Sequence, residues 1–135
     1  MESSEENGLI VARLDEGEDV FVDIAALSKK YFLRSALIIS GIGMLEDPVL
    51  GYFDQEKYVE HKFEGCYELL AMHGSIADGA VHIHLTLGNE KSLTFGGHLL
   101  GAKVKVNVEL VIQKLNRIKL SRIPKGNVKI LGVKR

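Results

Sequence analysis

With 135 residues, 46% of them hydrophobic and 26% charged, and only two prolines, the chain has the make-up of one ordinary globular domain, which excludes collagen-like, coiled-coil and disordered classes. Its net charge of −1 supplies no overall basic field to gather nucleic acid. A single cysteine, Cys66, excludes an intrachain disulfide and fits a cytoplasmic protein; no apolar run reaches the ~20 residues of a membrane helix, so neither a membrane span nor a signal peptide is expected.

The acidic "MESSEEN" at 1–7 reads as a frayed polar tail, which leaves a domain over 8–135. "LIVARL" (9–14) reads as a first strand and "EGED" as a turn. "DIAALSKKYFL" (23–33) suits a short amphipathic helix capped by Asp23, with Ile24, Leu27 and Tyr31 at helical spacing. "SALIIS" (35–40) reads as a buried strand closed by a turn at "GIG". Strands follow at 48–54, 58–64, 66–76 and 81–87. In "VKVNVELVIQKL" (104–115), Val104, Val106, Val108, Leu110 and Ile112 share one side, and "VKILGV" (128–133) is a last strand. The basic residues collect late, in "KLNRIKLSRIPKG" and "VKR", where a solvated strand edge is expected rather than a binding patch. The sum is an α+β fold: one domain, a mostly antiparallel sheet and one main helix. One helix does not cover so large a sheet, which favours a homo-oligomer.

The chemistry concentrates in "VHIHLTL" (81–87) and "GGHLLG" (96–101). Alternation along a strand puts His82 and His84 on one face, roughly 6.5–7 Å apart at the backbone, close enough for two imidazoles to share a cation. A hairpin return through "GNEKSLTFGG" would bring His98 beside them, the Gly96-Gly97 pair allowing close backbone approach. Three neutral histidines with one position open is a zinc arrangement of catalytic sites. His61 reads as a surface residue. His73, beside Gly74, reads either as a structural residue or as a neighbour of the site. Cys66 reads as a further soft ligand or a buried thiol. Glu68, set among apolar strand residues in "YELL", could orient a ligating histidine or act as a general base; a salt bridge is the plainer alternative. Whether Arg34 and Tyr52 line the same cavity stays open.

Other motifs fail. "GIGMLEDP" begins like a dinucleotide fingerprint, but Glu46 occupies the third glycine position and Pro48 opposes a following helix. P-loop, HExxH and nucleophile-elbow patterns are absent.

The series "LGYFD" (50–54), Tyr58, "YELLAMHGSIA" (67–77), "VHIHLTL", "GGHLLGAKV" (96–104) and "VELVI" (108–112) resembles the plants-and-prokaryotes-conserved (PPC) domain over about residues 8–115. The resemblance implies a homotrimer. It also implies that His82, His84 and His98 are metal ligands, typically for zinc. Plant relatives carry AT-hooks and bind DNA, but the Arg-Gly-Arg-Pro core of that motif is absent here. The expectation is a trimeric module binding Zn2+ or another divalent transition metal. DNA contact would be weak, or made through a DNA-binding partner. The alternative is a metal-dependent enzyme of hydrolase or lyase type, acting on a small anionic or carbonyl-bearing substrate with Glu68 or His73 moving a proton.

Overall fold

Long strands with apolar residues at every second position dictate the architecture seen in a computed structural model, which describes residues 1–135. In chain order these are β1 (Glu2–Glu6), β2 (Leu9–Asp15), α1 (Val20–Tyr31), β3 (Ser35–Phe53), β4 (Tyr58–Lys62), β5 (Cys66–Ala77), β6 (Ala80–Gly88), β7 (Thr94–Lys114), β8 (Lys119–Lys125) and β9 (Val128–Lys134). Seven strands form one antiparallel sheet in the order β1-β2-β7-β6-β5-β3-β4. β3 also pairs with β7, so β3, β5, β6 and β7 close into a ring. The fold is thus α+β, a single domain with one helix. That helix is too short to cross a membrane.

The core lies on one side of the strands. Ile10, Leu14, Ile83, Leu87, Leu110 and Ile112 are buried with Val20, Ile24 and Leu27 of the helix. Each such side chain contributes about 1.5–3 kcal/mol by leaving water. The outward side is different. Registered neighbours run Leu9–Gln113–Leu37–Ser75–His82 across five strands, so the histidine pair shares a face with exposed Leu9, Val11, Leu37 and Ile42.

Several expectations change. Residues 2–6 are not a frayed tail but β1, paired with β2 and tied to the helix where Lys30 and Tyr31 donate to Ser3 Oγ at 2.9 and 3.0 Å. The helix starts at Val20 because Asp19, not Asp23, is its cap: Asp19 Oδ1 accepts from the Phe21 and Val22 N–H groups at 2.9 and 3.0 Å. "GIG" is no turn. β3 continues through it, bent by register irregularities after Ile38 and Gly43. β7 begins at Thr94, and Val106 leaves the buried row, with φ of 63° and 64% exposure, while Val104, Val108, Leu110 and Ile112 stay inside. The late basic segment folds into a separate two-stranded sheet, β8-β9, seated on the ring by the Leu120 N–H, which donates to Ser35 Oγ at 2.9 Å.

Asp23 carries the first prediction. It is 8% exposed and its Oδ2 lacks a hydrogen-bond partner; burial, then the neighbouring Glu18 carboxylate, pushes its pKa up to about 6. A raised carboxyl pKa stabilises the fold below the unfolded value of 3.8, and that contribution disappears as pH rises through 6. D23N removes the titration. Its Tm should exceed the wild type's at pH 8, by the equivalent of roughly 2–3 kcal/mol, and the gap should narrow by pH 5. Parallel melting curves at both pH values would refute this.

Candidate metal centre

The strands bring the three histidines together as the spacing implied. His84 and His98 are direct partners across β6 and β7, and His82 lies two residues further along the same face of β6. The connection is a tight hairpin in which Asn89 Oδ1 accepts from the Lys91 and Leu93 N–H groups, both at 3.0 Å. Glycine permits the approach. A Cβ on Gly96 would fall 2.3 Å from the Leu85 carbonyl oxygen of β6, and one on Gly74 of β5 would fall 2.1 Å from the His82 carbonyl oxygen. Both neighbours of β6 therefore press on its backbone where the imidazoles emerge.

The rings converge. Their centroids are separated by 4.8, 5.0 and 5.5 Å, and Nε2 of His82 is 3.1 Å from Nε2 of His84. One nitrogen from each lies within 4.8 Å of the others. A tetrahedral zinc needs nitrogens about 3.3 Å apart, given bonds of ~2.0–2.1 Å, so modest ring tilts would close the set. The chemistry of the donors fits a metal as well. His98 Nδ1 is buried without a partner, and a buried unsatisfied nitrogen is costly. Burial, followed by the charges of His84, His98 and Arg122, brings the His82 pKa down to about 4; burial and then His84 lower that of His98. Burial thus favours the neutral form of both rings, the form that donates a lone pair to a cation. Tyr58 packs its ring on His98 with centroids 4.7 Å apart and limits its swing.

The remaining candidates stand apart to different degrees. His73 is exposed on β5 directly opposite His84, next to the cluster but not within it. Glu68 is exposed, not buried, and pairs with Gly88, four residues along β6 from His84, or about 13 Å. It makes no hydrogen bond to an imidazole. Cys66 is exposed beside Glu46, with its Sγ 3.9 Å from Oε1, rather than buried or near the histidines. His61 lies exposed on β4. Arg34 pairs with Asp78 and faces another cleft with Phe32 and Leu120; Tyr52 is exposed and lines neither that cleft nor the one at the histidines.

Sequence reasoning missed the far wall of the site. A cleft of about 430 Å3 opens on His82 and His98 and is closed on the other side by the β8-β9 hairpin, through Arg122, Asn127 and Lys129. The only hint was a segment with no acidic residue between 117 and 135.

Known proteins share this fold. The crystal structure of a plant- and prokaryote-conserved protein from Pyrococcus horikoshii is 33% identical, with a TM-score of 0.83 over 97% of this chain and 93% of that one. A metal-containing protein from Archaeoglobus fulgidus is 25% identical, with a TM-score of 0.81 over 99% and 96% of the two chains. A Ralstonia eutropha JMP134 protein named for DNA binding shares the fold at 24% identity, with a TM-score of 0.86 over 96% and 94%. Among curated proteins, the bifunctional protein GlmU of a Synechococcus strain is 30% identical over 113 residues, 83% of this chain; the match spans only 18% of GlmU's length. The family model of the Plants and Prokaryotes Conserved domain matches residues 1–116, and the chain belongs to that family.

Proposed function

We propose that the chain is a self-associating module that holds one divalent transition metal, zinc foremost, through His82, His84 and His98. The observation that carries this reading is the convergence of three imidazoles within 4.8 Å, one with a buried nitrogen that nothing else satisfies. The metal-containing character of the Archaeoglobus protein supports it. The exposed apolar row of Leu9, Val11, Leu37 and Ile42 supports association between copies, and the family resemblance implies three of them. The lone thiol of Cys66 fits a reducing, cytoplasmic setting. DNA association, in this reading, is indirect or weak, since the likeness to proteins named for DNA binding extends to the fold alone.

Elemental analysis tests the metal. The wild type and H61A should each carry about one metal per chain, and H82A, H84A and H98A at least tenfold less. Equal metal in all five proteins would refute the assignment.

A second reading, a metal-dependent hydrolase or lyase, is favoured by the cleft that opens on the same histidines. A divalent metal held by three histidines supplies Lewis acidity to whatever enters. Of the two proton-carrying candidates, His73 stands beside His84 and Glu68 does not.

A further inference from the structure

The β8-β9 hairpin lies beyond the residues matched by the family model, yet it forms a wall of the cleft over the histidines. It is anchored at three points. Leu120 N–H donates to Ser35 Oγ, Arg122 Nη2 donates to Ser75 Oγ at 2.8 Å, and Asn127 Nδ2 donates to the Glu56 carbonyl at 3.2 Å. Arg122 is half-buried, and Ser75 is the direct neighbour of His82 across β5 and β6.

The composition of the cleft is lopsided. Its lining includes Arg122, Lys129, Tyr58 and Asn127, and no aspartate or glutamate. Arg122, unlike Arg13 and Arg34, forms no ion pair. Burial disfavours its charge, and only one of its five N–H donors is engaged by a side chain. A half-buried guanidinium without a carboxylate, lining an open cleft together with a lysine, is complementary to a planar or tetrahedral oxyanion.

We propose that Arg122, assisted by Lys129 and Asn127, forms an oxyanion subsite beside the histidine cluster, so that the cleft takes a small molecule bearing a carboxylate or a phosphate. This rests on the metal reading above and adds the ligand class to it. The hairpin selects the ligand's charged group, and the histidine end receives the rest of it. Such a subsite also accounts for a basic segment that makes no acidic contact of its own.

Calorimetric titration of the full chain with inorganic phosphate and with malonate tests the subsite. Each is run on metal-loaded and chelator-treated protein, with metal content measured on the same samples. At least one probe should bind the loaded protein, and whichever binds more tightly identifies the source as phosphate or carboxylate. R122Q should weaken that binding at least tenfold, R122K less so because it keeps the charge and loses the fork, and K129Q by about threefold. No heat with either probe, or R122Q binding as the wild type does, overturns the proposal. Should R122Q fail to fold, wild-type affinity in both R122K and K129Q overturns it equally. Metal-loaded protein that ignores both probes defeats the subsite alone. Protein that takes up no metal on loading yet binds phosphate through Arg122 defeats the metal reading alone.

Discussion

Alanine at Gly74 is expected to destabilise the chain by about 3 kcal/mol or more, a loss at the upper end of what single substitutions produce. The reason is backbone against backbone. The added Cβ would lie 2.1 Å from the His82 carbonyl oxygen and 3.2 Å from the Ile83 Cα, and neither can rotate away as a side chain would. β5 and β6 must separate, breaking ladder hydrogen bonds between buried strands and drawing Ile83 and Leu85 out of the core. Alanine at Gly79, whose Cβ would meet nothing within 4 Å, should cost less even though its φ is 83°. Denaturant titration of both variants measures the difference. A G74A protein as stable as G79A would show that the two strands do not approach this closely.

The second large effect is metal-dependent stability. If the three histidines hold zinc, free metal at a thousand times its Kd adds about 4 kcal/mol to the folded state. For a chain of this length that corresponds to a Tm higher by roughly 10–20 °C. Chelation should reverse the gain, and H84A should show no response. A rise shared in full by H84A would place the stabilising ion elsewhere. Burial favours the neutral form of His82 and His98, so these two ligands should contribute little to proton release on binding.

The part of the site carried by a single strand and its hairpin partner was legible in the sequence. Alternation fixes the common face of His82 and His84, and the short connection with Gly96-Gly97 returns His98 to the same row. Features that depend on distant packing were hidden. Glu68 stands among apolar neighbours in the sequence, but strand alternation buries Leu69 and leaves Glu68 and Leu70 together on the surface. "GIG" reads as a turn because turns and bulges both recruit glycine; only pairing with β7 distinguishes them. Asp23 reads as the helix cap because the helical stripe is counted from Ile24, but the core buries Val20 together with Ile24, so the helix begins a turn earlier at Asp19. Arg122 was marked only by the basic, acid-free composition of its segment. Its place beside His82 arises from a hairpin that folds back across Ser35 and Ser75.

β7 is the common neighbour of β2, β3 and β6, and its partners on β3 lie far earlier in the chain, with residues 98–114 pairing to 36–51. No closed sheet can exist until synthesis has passed Lys114, so β2 and β3 emerge from the ribosome without their partner β7. Until then the apolar stretches of β2 and β3 are exposed to other chains. Because the defining pairings are so remote in sequence, the closing step belongs to the slower range of single-domain folding, milliseconds to seconds, and not to the microsecond regime of helical bundles.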